Sequence, residues 1–195
     1  MIEGRHQIDQ LLEALNASLS AMDAPALELL ICGGAALAVM ELISRPTLDI
    51  DVLAIVDGEQ DVMAKPFPAY LRKAVSRVAR AHSLSEDWLN HGPADMQRFG
   101  LPVGILDRAL KVEYGDRLAV RFVGRYDQIH FKLYALVDQG TGKHLDDFIQ
   151  LRPTEEEVDS AAMWCINQDP SGGFKLMLTG ALTHLGFENV AARIQ

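Results

Sequence analysis

From Gln7 to Met22 the apolar residues Ile8, Leu11, Leu12, Leu15, Leu19 and Met22 fall on one stripe of helical period, which predicts an amphipathic helix. The run LELLIC after Asp23-Ala-Pro is short, apolar and closed by glycines, and it reads as a buried strand. Ala35 to Ser44 then reads as a helix and DIDVLAIV as a second strand rich in branched side chains. From Tyr70 to His82 the period is helical again, with Leu71, Ala74, Val75, Val78 and Ala81 inward and Arg72, Lys73, Arg77 and Arg80 largely outward. The stretch ALKVEYGDRLAVRFV alternates on both sides of Gly115-Asp116, a hairpin pattern. Beyond Arg125 the pattern is helical: Gln128 to Val137, Lys143 to Leu151, a third helix opened by the Thr154–Glu157 capping box, and a last one over Gly172 to Gly186.

This order predicts an α+β fold, a small mixed β-sheet flanked by helices and followed by a helical C-terminal part, with a core over residues 1–125 and the helical part over 126–195. The chain, 195 residues long, is sufficient to bury a real core. A net charge of -9 argues against a protein that coats nucleic acid, leaves room for a local basic patch, and suits a cationic small substrate. Cys32 and Cys165 are far apart and lack CxxC spacing, so neither a disulfide framework nor a zinc site is indicated. With no secretory pattern and no apolar tract of spanning length, the expectation is a soluble cytoplasmic protein without membrane partners. Residues 2–6, IEGRH, match a protease-cleavage sequence used in expression vectors.

Chemistry concentrates in CGGAALAVMELISRPTLDIDV, residues 32–52. Strand alternation sends Asp49 and Asp51 to one face and Ile50 and Val52 to the other, and it predicts Leu53 and Ile55 farther along the acidic face. Two carboxylates beside an apolar core repel each other unless a cation lies between them. Oxygen ligands of this kind suit Mg²⁺ or Mn²⁺, the ions of phosphoryl chemistry. Gly33 and Gly34, at the head of a helix, would expose backbone N–H groups and the positive dipole end to a phosphate. Lys132 lies on the buried stripe of Ile129, Leu133, Leu136 and Val137, so its ammonium must snorkel to water or meet an anion.

The segment GGAALAVMELISRPTLDIDV resembles the signature of the polymerase-β-like nucleotidyltransferase superfamily, and within it small bacterial minimal nucleotidyltransferases related to abortive-infection toxins. SEDWLN at 85–90, KLYA at 132–135 and KHLDDFIQL at 143–151 resemble later blocks of the same group. The resemblance implies a nucleotidyltransferase fold, Asp49 and Asp51 as metal ligands, Gly33 and Gly34 as the phosphate turn, Lys132 as a cation facing the nucleotide, and Asp147 as the helical acid of the last motif. Arg45 and Thr47 fit its RxTxDID form and are candidates to reach a phosphate. It further implies an NTP substrate, an RNA end or a protein as acceptor, and a possible antitoxin partner.

The sequence departs from the pattern at His144, where related toxins carry an acid, leaving Asp147, with Asp146 as a further candidate, for that motif. The third carboxylate of larger superfamily members has no clear counterpart, Glu113 on the hairpin being the candidate by position. Trp88 and Asn90 are candidates for a base contact, against a plain core role for Trp88, and the basic helix of Arg72, Lys73, Arg77 and Arg80 for an RNA backbone, against a merely solvated face. Two other readings stand beside the transfer of a nucleoside monophosphate. One is a small-molecule, aminoglycoside-type nucleotidyltransferase; the other is a nucleotide-binding regulatory module without turnover.

Overall fold

The computed structural model describes residues 1–58, 60–140 and 142–194, with the side chains of all but 61–63 and 99. They divide into two units, residues 1–98 with 104–124, and residues 99–103 with 125–194.

The first unit is built on a six-stranded mixed sheet. Its strands are β1 (Leu27–Cys32), β2 (Ile50–Asp57), β3 (Gln60–Met63), β4 (Leu89–Asn90), β5 (Leu110–Glu113) and β6 (Leu118–Phe122), and five of them run in the order β3-β2-β1-β6-β5. β1 is antiparallel to β2 and parallel to β6, and β5 and β6 form the expected hairpin. β3 pairs with Ala54–Asp57 of β2, while the two-residue β4 pairs with Ile50 and Asp51. These two short strands carry too little pattern to be read from the sequence.

Helices α1 (Gly4–Ser20) and α3 (Ala69–Ala81) pack on one face of the sheet, where Ile8, Leu12, Leu15, Leu71, Ala74 and Val78 meet Leu29, Ile31, Ile50, Val52 and Val120. Each fully buried leucine or isoleucine contributes about 1.5–3 kcal/mol, so the stripe on α1 outweighs the weak helix propensity of Asn16 and Ser18. α1 begins three residues before the predicted start at Gln7, and just ahead of it Ile2 is buried and exchanges both backbone hydrogen bonds with Thr47, at 2.7 and 3.0 Å. It stops at Ser20, short of Met22, before Asp23 takes a positive φ. On α3 the inward residue near the C-terminus is Ala79, and Ala81 is exposed.

The helix expected over Ala35–Ser44 is instead α2, Gly33–Val39. Glu41 has φ 58°, which ends the helical path, and the backbone N–H of Leu42 closes it by donating to Leu37. The segment from Met40 to Asp49 is therefore a loop that returns Arg45 and Thr47 to the start of α2. A short 3-10 turn over Gly92–Phe99 and the one-turn α4 (Ile105–Arg108) complete the elements of residues 1–124.

The second unit is helical: α5 (Arg125–Gln139), α6 (Lys143–Gln150), α7 (Glu155–Gln168), α8 (Gly172–His184) and α9 (Glu188–Arg193). α5 is longer than predicted at both ends, the run expected to Gly186 is α8, ending at His184, and α9 is a further short helix beyond it. The capping box is present, with Thr154 and Glu157 each bonded to the other's backbone N–H. Arg125 ties the start of α5 to the same corner, donating to the carbonyls of Leu151 and Arg152, both at 2.8 Å, and to Glu157 at 2.6 Å. Among the described residues no helix is long and apolar enough to cross a membrane.

Candidate active site

Asp49 lies immediately before β2 and Asp51 within it, and their carboxylates do converge. The Asn90 side-chain amide donates to Asp49 Oδ2 at 3.2 Å and to Asp51 Oδ1 at 3.1 Å. Both acids are half-buried. Asn90 occupies this place because β4 pairs in parallel with β2 so that Asn90 stands beside Asp51. The pairing is anchored from below: Trp88 is buried, its indole N–H donates to the Val75 carbonyl at 3.1 Å, and its own carbonyl accepts the Ile50 N–H at 2.7 Å. Trp88 is thus a core anchor and not a base-stacking surface.

The face of β2 differs from strict alternation. Leu30 pairs with Ala54 and Ile31 with Val52, which leaves Leu53 as an extra residue, a β-bulge. Beyond the bulge the faces exchange. Ile55 stands opposite Leu29 and packs on the main core, while Ala54 and Val56 take the side of Asp51. Ile55 therefore does not continue the acidic face, as alternation alone predicts.

Both glycines are held against this loop and strand. Gly33 has φ 70°, and a methyl group on its Cα would lie 2.7 Å from Asp51 Oδ2. At Gly34 the same group would lie 2.9 Å from Thr47 Oγ1 and 3.6 Å from an Arg45 guanidinium nitrogen. Thr47 donates its hydroxyl to the Asp49 carbonyl at 3.1 Å, and Arg45 donates to the Pro46 carbonyl at 3.2 Å. Glycine at these two positions thus lets the helix start touch the carboxylate strand and its loop. Gly33, Gly34, Arg45, Thr47, Asp49 and Asp51 form one neighbourhood, and Asn90 is the member whose position between the acids the sequence did not reveal.

Glu113 does not belong to it. Glu113 is exposed, pairs with Lys111 at 3.1 Å, and sits on β5, with β6 and β1 between it and β2. Three strand spacings put it about 14 Å away across the sheet. Lys111 also pairs with Glu28 at 2.7 Å, and Arg121 bonds Glu28 as well. Burial opposes charge on Glu28, but these two cations outweigh it and hold its carboxyl below the ordinary range.

In the second unit Lys132 is buried, and its anion is Asp147, wholly buried, at 2.7 Å. The pair ties α5 to α6. On α3, Arg72, Lys73, Arg77 and Arg80 are exposed, and among the described residues none of the four is in an ion pair.

The described residues hold no cluster of three or more His, Cys, Asp or Glu side chains fit to bind a metal ion. Asp49 and Asp51 nonetheless fit Mg²⁺ or Mn²⁺ chemically, since Mg²⁺ is commonly held by one or two carboxylates and completed by substrate phosphates.

An α+β sheet with a glycine-led helix folded against an Asp-x-Asp strand is the arrangement of a nucleotidyltransferase domain. Residues 6–142 match the family described as "Nucleotidyltransferase of unknown function (DUF6036)", and the chain belongs to that family. No curated protein and no solved structure matches the chain.

Proposed function

We propose that the protein transfers a nucleoside monophosphate from an NTP to an acceptor hydroxyl. The observation that carries this reading is the convergence of Asp49 and Asp51 on one amide, with Gly33 against Asp51. The two carboxylates would hold Mg²⁺ or Mn²⁺, whose charge would neutralise the triphosphate and align the attacking oxygen. The start of α2 would lie along the phosphates, with Arg45 and Thr47 at its side. The acceptor hydroxyl gives up its proton to solvent as its oxygen forms a bond to the α-phosphorus, the bond to pyrophosphate breaks in line, and pyrophosphate leaves.

We favour an RNA end as the acceptor, because α3 presents four exposed cations that are in no ion pair among the described residues, on a protein that is acidic overall. This agrees with the resemblance to abortive-infection toxins, and we carry a toxin role with an antitoxin partner as part of the reading. Lys132 and Asp147 enter it on the resemblance alone, as a functional pair of the second unit. The overall acidity favours the second enzymatic reading, a cationic small molecule as acceptor. The displacement of Glu113 from the acids favours a nucleotide-binding module without turnover.

The test is incubation with each labelled NTP, Mg²⁺ and either bulk RNA or a panel of cationic small molecules. Label on RNA that disappears with Asp49→Ala supports the proposal; label on a small molecule supports the second reading. Nucleotide binding without transfer supports the module, and transfer that survives in folded Asp49→Ala refutes the assignment of the site.

A further inference from the structure

Asn90 is a neutral side chain at a point where both candidate metal ligands meet. Its amide has two ends, and which end faces the acids decides what it can do. The Gly92 backbone N–H donates to Asn90 Oδ1 at 2.7 Å. Turning the amide over would set that N–H against an NH₂ group and the Asn90 carbonyl oxygen against two carboxylates. The orientation is therefore fixed by its surroundings, with the NH₂ group toward Asp49 and Asp51.

A donor cannot be a cation ligand, so Asn90 is not a third member of a metal shell. Each carboxylate oxygen it touches has a second lone pair, and each acid has a second oxygen, so the contact is compatible with coordination. Two half-buried carboxylates facing one point repel each other before any cation arrives, and a donor shared between them offsets that repulsion. Asn90 is held in that place by a chain of support: Trp88 in the core, the Ile50–Trp88 backbone bond, the register of Asn90 beside Asp51, and the Gly92 N–H.

We propose that Asn90 is a positioning residue that holds Asp49 and Asp51 in the convergent arrangement needed to capture a divalent cation. This rests on the reading of the two acids as metal ligands. Partners of this kind behind a metal ligand typically change metal affinity by about 10- to 100-fold.

The test measures Mn²⁺ binding to the full chain, with MnCl₂ alone, from the electron paramagnetic resonance signal of the free ion. Asn90→Leu keeps the branching at Cγ and removes the donor. It is expected to retain the far-ultraviolet circular dichroism and thermal midpoint of the wild type while its Mn²⁺ dissociation constant rises about 10- to 100-fold. Asn90→Ser, whose short hydroxyl cannot span both acids, is expected to show the same direction and serves if the leucine variant does not fold. Mn²⁺ binding that Asp49→Ala weakens but neither Asn90 variant weakens overturns the proposal and leaves the metal site standing. No Mn²⁺ binding by the wild type, or binding that Asp49→Ala leaves unchanged, overturns the metal reading and this proposal together.

Discussion

The backbone of Gly33 lies against the carboxylate of Asp51 so closely that a single added methyl group would come within 2.7 Å of Oδ2. The same residue has a left-handed φ of 70°, so glycine is required there twice over. Gly33→Ala is expected to lose about 1–2 kcal/mol from the backbone conformation alone, and more from displacement of the carboxylate. Urea unfolding reads the stability loss, and Mn²⁺ binding or nucleotide transfer reads the displacement. Gly34→Ala meets Thr47 instead and carries no positive-φ cost, so its effect on stability is expected to be smaller.

Asp49→Asn and Asp51→Asn keep the size of each side chain and remove its charge. If the pair holds the cation of a phosphoryl transfer, each variant should lower kcat by about a thousandfold, corresponding to about 4 kcal/mol of transition-state stabilisation. Steady-state transfer rates with the accepted NTP read the effect. A loss of less than about tenfold in both would count against their catalytic role.

The buried pair of Lys132 and Asp147 makes a separate, structural prediction. Lys132→Met leaves a wholly buried carboxylate without this cation and is expected to destabilise the protein by about 3–5 kcal/mol. Lys132→Met combined with Asp147→Leu should recover much of that loss, because no charge is then stranded. Thermal and denaturant unfolding of the two variants make the comparison, and transfer assays on the folded double variant show what the pair does beyond stability.

Arg125 donates to Glu157, and its positive charge, with the Thr154 backbone, holds the Glu157 carboxyl below its ordinary value. A depressed folded value stabilises the protein above the unfolded value of about 4.3, and the contribution is lost as pH falls through the folded value. Wild type should therefore exceed Glu157→Gln in stability by a constant margin between about pH 5 and 7. Below about pH 4 that margin should shrink. Unfolding curves across this range check it.

The exposed cations of α3 predict salt-dependent RNA binding. Each contact with a single-stranded phosphate contributes about 0.7 to the slope of log affinity against log salt. Reversing Lys73 and Arg77 to glutamate should weaken binding of labelled RNA and flatten that slope by about 1.4, while leaving Mn²⁺ affinity unchanged. An unaltered slope would remove α3 from the acceptor surface.

Local chemistry made some features legible in advance. The capping box at Thr154, the hairpin about Gly115-Asp116 and the apolar stripe of α1 each depend on residues near one another in the chain. The convergence of Asp49 and Asp51 follows from a single pleat. What the sequence withheld depends on partners that fold from far away. Asn90 reaches the acids only through the pairing of β4 with β2, and Lys132 finds its anion on the next helix. The early end of α2 was hidden because Met40 to Ser44 would suit a helix, and the return of Thr47 to bridge Ile2 draws the chain elsewhere.

The extra residue in β2 gives the strand two frames, one for the acids and one for the part that aligns with Glu28 and Leu29. Leu53 is the hinge between them. Deleting it would leave Val52 opposite Ile31 and Ala54 opposite Leu30 in one regular ladder, with the aspartates and the hydrophobic half each keeping its face. What Leu53 adds is a residue with no partner in this ladder, set between the acids and the hydrophobic half, and the strand can lose it without turning either over.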